Sequence, residues 1–175
     1  PLPAPALFVP PVRAGTAQGT YEVPAEQRDS PASLAVNAFG TAFLTIKMFE
    51  GPDALGREVA WAFPGEQLLI VPRAGERPNA QYIRASRSLQ FFSFTGKSGK
   101  RVHTALSRDI VAHECGHALL DAVAPCLYES NTPESLAIHE AIADIMAVLM
   151  SLDSKKLRTA VLDQTKLSLD GPNAF

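Results

Sequence analysis

Apolar residues recur at helical spacing in three parts of the chain. The first part follows Ser30, a residue suited to capping a helix, and stops at Gly51. The second ends before Pro125, since a proline disfavours helical backbone in the residue before it. The third begins at Thr132, which has a proline directly after it. The pattern predicts helices at about residues 31–50, 107–124 and 132–152.

Between the first two helices the pattern changes to short β-rich runs. Four runs, REVAWAF, EQLLIVP, AQYIRA and LQFFSF, are separated by turns rich in Pro and Gly. They predict a small, mostly antiparallel sheet of three or four strands. The expected fold class is therefore α+β, with a further amphipathic helix at residues 154–169.

The composition is that of one folded domain. Of the 175 residues, 46% are hydrophobic and 19% are charged, the balance of a globular protein. Residues 1–29 are rich in proline and are expected to form an extended segment. Residues 30–175 are expected to form the domain.

Charge and hydropathy exclude two classes of partner. The net charge of −2 gives no overall attraction to nucleic acid, and a basic segment at residues 84–108 is expected to be a solvated surface. Apolar runs such as residues 142–150 are too short to cross a bilayer. Cys115 and Cys126 are expected to be free thiols or one bridge. The oligomeric state stays open.

The sequence HECGH at residues 113–117 has the spacing of a metal site. His113 and His117 lie one turn apart on one face of a helix, so both imidazoles can reach one ion at roughly 2.0–2.1 Å. Glu114 adjoins that face and can take a proton from a water that zinc has acidified. This is the H-E-x-x-H pattern of zinc hydrolases.

The helix at residues 132–152 offers the remaining groups. Glu140 can be the third protein ligand, and Asp144 one turn later can accept the free ring N–H of a ligating histidine. Both acids interrupt an apolar helix that we expect to be buried, where carboxylates need a cation or a donor. The alternative is that both helices are merely packed and that no metal binds.

The segments VAHECGHALLDA and HEAIADIMAVL resemble the thermolysin-like zinc metallopeptidases, the gluzincins. The resemblance covers residues 30–152 and implies a zincin-like fold, one catalytic zinc and a peptide or protein substrate. It implies zinc ligation by His113, His117 and Glu140. Glu114 would be the general base and acid, and Asp144 would orient His113.

The resemblance also implies roles for residues outside the two motifs. Tyr128 matches a tyrosine that helps to hold the oxyanion, with a tyrosine in a plain turn as the alternative. Asn79 and Ala80 match an Asn-Ala pair that holds an extended peptide as an added strand. A secreted protein would be typical of the family, and the compartment is otherwise open.

The chain departs from the family at several positions. His139 stands where the family has Asn, so the contact to His117 would come from an imidazole or be lost. Asp109 matches a calcium-binding residue, but the acidic partner segment is absent, so calcium is possible but not supported. Asp109 is interpreted instead as a first-turn acid on the helix dipole. The family's C-terminal helical domain, with its transition-state histidine, is expected to be lacking. His103 is a candidate substitute donor, with a solvated loop histidine as the alternative.

Two functions from different classes remain. One is a zinc-dependent metalloendopeptidase that uses Glu114 to activate water. The other is a zinc-stabilised, catalytically weak or inactive module that captures a peptide or protein at the strand near Asn79. Both require the same metal ligands. The Glu114→Gln variant distinguishes them, because only a peptidase needs this base for turnover, while zinc binding and the fold should stay intact.

Overall fold

A computed structural model describes residue 23, residues 25–65 and residues 67–164. It contains five α-helices and five strands within these residues, and the fold is mixed α and β, as predicted. The helices are α1 (Pro31–Glu50), α2 (Arg108–Val123), α3 (Pro125–Glu129), α4 (Pro133–Asp153) and α5 (Lys155–Gln164). The strands are β1 (Leu69–Val71), β2 (Ala80–Ile83), β3 (Ser88–Phe91), β4 (Ser93–Thr95) and β5 (Arg101–His103).

The three predicted long helices are confirmed together with their starting residues. The side chains of Ser30, Ser107 and Thr132 each accept a hydrogen bond from a backbone N–H in the first turn of the following helix. Such a cap satisfies an N–H group that otherwise has no partner. Local sequence therefore determines where α1, α2 and α4 begin.

The strands form two small sheets rather than one. The first has the order β1-β3-β2, with β1 parallel and β2 antiparallel to β3. The second is the antiparallel hairpin of β4 and β5. Antiparallel pairing therefore predominates, as predicted, and β2 lies at an edge of the three-stranded sheet.

Two of the strand predictions are wrong in detail. The run at residues 57–63 is not a strand, because the Glu50 carboxylate accepts the Val59 N–H at 2.9 Å and Trp61 stacks on Phe63 instead of pairing in a sheet. The run at residues 89–94 is divided at Phe92 into β3 and β4. Backbone and hydroxyl groups of Thr104 take up the hydrogen bonds of Phe92, so the chain changes sheet there.

The core lies between the three-stranded sheet and helices α1, α2 and α4. Leu34 and Ala38 of α1, Phe91 of β3 and Leu119 of α2 are almost completely buried there. Cys115 is buried in the same cluster, while Cys126 is exposed, and both are free thiols. Burial in apolar surroundings raises the pKa of the Cys115 thiol to about 12. Helix α2 is therefore the central element of the core.

Helices α2 and α4 touch at Gly116. A Cβ atom placed on Gly116 would lie 2.8 Å from the Cα of Ala143 and 3.2 Å from side-chain atoms of Met146. Real Cβ atoms do not approach backbone this closely, so the two helices can adopt this distance only with glycine at the contact. The contact brings the faces of α2 and α4 that carry the candidate ligands together.

Helices α1 and α4 keep apolar side chains on their outer surfaces. Phe39 and Phe43 of α1 and Ile138, Ile145 and Leu149 of α4 are exposed. By length and composition alone, both helices could also span a bilayer, a property shared by core helices of soluble proteins. The expectation that no apolar segment is long enough to cross a bilayer is thus wrong for these two helices. Polar residues interrupt their apolar runs, but each helix as a whole is long and apolar enough.

Parts of two predicted segments lie outside the described residues. Most of the proline-rich segment 1–29 does, but Ala25–Gln27 at its end forms a 3₁₀ helix, so this part is not extended. The predicted helix at residues 154–169 is confirmed as α5, and residues 165–169 fall outside the description.

Replacing Gly116 with Ala should destabilise the protein by about 1–2 kcal/mol. Alanine favours a helix by about 1 kcal/mol over glycine, but the added methyl group would force α2 and α4 apart, and overpacking typically costs about 1–3 kcal/mol. Chemical denaturation of both proteins measures the difference.

Gly40→Ala is the matched control, because Gly40 also lies within a helix and a Cβ there meets nothing within 4 Å. It should stabilise the protein by about 0.5–1 kcal/mol. Equal or higher stability of Gly116→Ala relative to the parent would show that the close contact is not a constraint.

Candidate metal centre

Three side chains from two helices converge between α2 and α4. His113 and His117 lie one turn apart on α2, and Glu140 lies on α4. The Nε2 atoms of the two histidines are 3.1 Å apart. Glu140 Oε2 is 3.5 Å from Nε2 of His113, and its Oε1 is 3.7 Å from Nε2 of His117. The structure therefore brings the three predicted ligands together.

The separations match those required by one tetrahedral metal ion. Ligand atoms about 2.0–2.1 Å from an ion at tetrahedral angles lie about 3.3 Å from one another. The observed 3.1, 3.5 and 3.7 Å lie around this value. Two imidazoles and a carboxylate also form a donor set found at catalytic zinc sites, which keep a fourth position open. The cluster can therefore hold a metal ion.

Each histidine has a second partner that fixes its ring. Nδ1 of His113 lies 2.9 Å from Oδ1 of Asp144, and Nδ1 of His117 lies 3.3 Å from Nδ1 of His139. When Nε2 of a histidine binds a metal, Nδ1 carries the ring proton, and this N–H group donates a hydrogen bond to a neighbouring acceptor. The structure therefore places Asp144 and His139 where the sequence predicts them.

His139 has one nitrogen that its surroundings do not satisfy. Its Nε2 is buried and has no hydrogen-bond partner within the described part of the chain. Its ring stacks at 5.5 Å on His117 and meets the edge of Tyr128 at 5.9 Å. If Nδ1 of His139 accepts a hydrogen bond from the Nδ1–H of His117, the proton of a neutral His139 must lie on Nε2. That buried N–H group then has no hydrogen-bond partner among the described residues.

The candidate acids of α4, Glu140 and Asp144, are exposed, so the expectation that their carboxylates are buried is wrong. The side chain of Glu140 is 65% exposed and that of Asp144 is 74% exposed. Both acids contact histidines of α2, while Ala143, Met146 and Met150 of the same helix are buried. The case for a metal therefore depends on convergence and distance, and not on buried carboxylates.

Glu114 lies in the wall of the site and is buried. Burial raises the pKa of the Glu114 carboxyl to about 7, against smaller opposing effects of His113 and of the backbone at Tyr82. Burial, with the charges of His113 and His139, lowers the pKa of His117 to about 4. His117 is therefore neutral at pH 7, the form in which imidazole binds a metal.

A groove of about 470 Å³ lies between the edge strand and His113, the one candidate ligand that lines it among the described residues. Asn79 and Ala80, at the start of β2, line one side, and His113, Glu114 and Asp144 line the other. Because β2 is an edge strand, its outer backbone groups have no strand partner in the sheet. The predicted peptide-binding residues thus lie beside the predicted catalytic residues.

A buried ion pair that the sequence analysis missed joins β2 to α2. Asp121 is fully buried, accepts the Tyr82 hydroxyl at 2.7 Å and forms a salt bridge with Arg84. The expectation that residues 84–108 form a solvated surface is wrong for Arg84, whose side chain is only 18% exposed. Burying an acid is costly unless donors surround it. The pairing therefore holds the edge strand against the helix that carries HECGH.

Tyr128 contacts His139 and is not among the described residues that line the groove. Its hydroxyl accepts the backbone N–H of Arg84 at 3.3 Å, and the Arg84 guanidinium covers its ring at 4.5 Å. The ring meets Tyr82 edge-on at 5.6 Å. In this geometry the Tyr128 ring packs against His139 and Arg84. Its oxyanion contact stays a prediction.

The remaining candidates fall outside the ligand cluster. Asp109 lines the groove and accepts the Ser151 hydroxyl at 2.8 Å. His103 ends strand β5. Among the described residues, the one group of metal-binding side chains is His113, His117 and Glu140. The structure therefore gives calcium at Asp109 no ligand cluster.

Comparisons with models of protein families, with characterised proteins and with solved structures give no match. They therefore supply neither a family nor a related fold for this chain. The functional interpretation rests on the geometry of the cluster and its groove.

Asp144→Ala should weaken zinc binding by about tenfold to a hundredfold. The substitution removes the acceptor of His113 Nδ1, and loss of such a partner typically costs that factor in metal affinity. Competition with a chromophoric chelator measures the zinc dissociation constant. Asp153→Ala, which removes an exposed acid from the same helix, is the control. Equal affinities of both variants would contradict the assigned role of Asp144.

Proposed function

We propose that this protein is a zinc-dependent metalloendopeptidase of the thermolysin-like type. The observation that carries the proposal is the convergence of His113, His117 and Glu140 at tetrahedral ligand spacing. A buried carboxylate, Glu114, lies within the same groove as His113. The groove extends to an edge strand that could bind a peptide.

The arrangement of helices and sheet supports a zincin-like fold as part of this proposal. Helices α2 and α4 supply the ligands and pack against each other, and β2 lies across the opening from them. A substrate in the extended conformation would add to β2 and run along the groove past the ligand cluster. The scissile carbonyl would then lie next to Glu114.

In the proposed reaction Glu114 is the residue of this chain that transfers the proton. When bound, zinc would polarise the peptide carbonyl and make a water molecule more acidic. Glu114 takes one proton from the attacking water as the oxygen bonds to the carbonyl carbon. Glu114 then delivers that proton to the amide nitrogen as the C–N bond breaks. The products are a carboxylic acid and an amine, so one water molecule is consumed per bond.

A second candidate is a zinc-stabilised module that binds peptides with little or no catalysis. It is favoured by the position of Tyr128, the candidate oxyanion donor, which is not among the described residues that line the groove. Loss of one oxyanion donor typically lowers the rate by about a hundredfold to a thousandfold. Such a module would use the same ligands and groove but would not depend on Glu114.

Glu114→Gln distinguishes the two functions. For a peptidase, the variant should lose at least about a hundredfold in turnover of an unstructured protein such as casein, since a general base contributes about 10²–10⁴. Zinc content should stay unchanged, because Glu114 is not a ligand. Turnover is measured by fluorescence release from labelled casein, and zinc by elemental analysis.

Glu134→Gln is the control, because Glu134 is an exposed acid in the first turn of α4 and lies away from the groove lining. It should cleave casein like the parent. Cleavage that survives in Glu114→Gln would refute the peptidase proposal. Zinc and peptide binding without cleavage in the parent would support the binding module.

A further inference from the structure

The groove next to the ligand cluster has an apolar wall and one acid without a full set of partners. Phe94, Ile110 and Ala147 contribute apolar surface. Asp109 lies one turn before His113 on α2 and is exposed. The volume of about 470 Å³ is in the range of pockets that bind small ligands. A long side chain with an aliphatic stem would therefore fit this surface.

The carboxylates that line the groove have different tasks. Asp144 is paired with Nδ1 of His113, and Glu114 is the proposed general base. Asp109 accepts one hydrogen bond, from the Ser151 hydroxyl to its Oδ1. Its Oδ2 has no hydrogen-bond partner among the residues that the structure describes. Asp109 is therefore the groove-lining carboxylate that neither contacts a candidate ligand nor serves as the proposed base, and it can accept hydrogen bonds from a bound side chain.

The basic residues of the β4–β5 hairpin lie on the face that does not carry Phe94. The register of the hairpin pairs Phe94 with Val102, so these two share the face that meets the groove. Arg101 and His103 alternate onto the opposite face, and Arg101 is bound to Glu76 and to Ser93. No Lys or Arg is among the described residues that line the groove.

We propose that this groove is a subsite for a lysine or arginine side chain of the peptide substrate, next to the scissile bond. Asp109 accepts hydrogen bonds from the ammonium or guanidinium group, and the aliphatic stem packs on Ile110 and Phe94. The proposal rests on the proposed function, because the ligand cluster and Glu114 adjoin the groove. Asp109 acts as a specificity residue and takes no part in bond breaking.

Binding to the inactive zinc-loaded protein tests the subsite without cleavage. Fluorescein-labelled peptides Ala-Ala-Xaa-Ala-Ala, with Xaa as Lys, Arg, norleucine or Glu, are titrated against Glu114→Gln by anisotropy. Norleucine resembles the lysine stem without its charge. The Lys and Arg peptides should bind on the order of tenfold tighter than the norleucine peptide, since hydrogen bonds to charged groups are the stronger ones. High salt should reduce this difference.

Asp109→Asn in the same background should remove the preference, because asparagine keeps an acceptor for Ser151 but lacks the charge. Asp109→Lys should favour the Glu peptide. Asp153→Asn should keep the preference for Lys and Arg, because Asp153 does not line the groove. Equal binding of the Lys and norleucine peptides, or a preference that persists in Asp109→Asn, would overturn the proposal.

Cleavage by the parent protein separates this proposal from the proposed function. Cleavage that depends on Glu114 but is equally fast beside Lys and norleucine would refute the subsite alone. Lysine-selective binding that depends on Asp109, without cleavage by the parent, would support the subsite and refute the peptidase. The two inferences therefore fail independently.

Discussion

The contact between α2 and α4 at Gly116 is the constraint on which the candidate site depends. Two ligands come from α2 and one from α4, so the distance between these helices sets the distance between imidazole and carboxylate. With no side chain at Gly116, the backbone of Ala143 can approach, and Glu140, one turn earlier on α4, reaches both histidines. Packing in the core thus sets the geometry at the surface.

A second constraint positions the edge strand. The buried carboxylate of Asp121 on α2 binds Tyr82 at the middle of β2 and Arg84 just after it. Removing either donor would leave a buried charge with fewer partners, which is far more costly than losing a surface ion pair. The groove therefore has two fixed walls, one from α2 and α4 and one from β2. Both walls meet at HECGH, whose Glu114 is buried between them.

Much of the site could be predicted from sequence because helical spacing and caps are local. Ser107 and Thr132 fix the starts of α2 and α4, and spacing of four residues places His113 with His117 and Glu140 with Asp144. Contacts between distant residues could not be predicted in this way. Arg84 and Asp121 are 37 residues apart, and no periodicity links them. The parallel pairing of β1 with β3, and the hydrogen bond from the Val59 N–H to the Glu50 carboxylate, also join segments that no local sequence pattern links.

Elemental analysis can determine whether two histidines and a glutamate hold one metal ion in this protein. The protein and Glu140→Ala are purified side by side, loaded with zinc and dialysed extensively. We expect about one tightly held zinc per chain in the protein and its loss from the variant, with both remaining folded by circular dichroism. A folded protein without zinc, or a variant that retains zinc as tightly as the parent, would contradict this expectation.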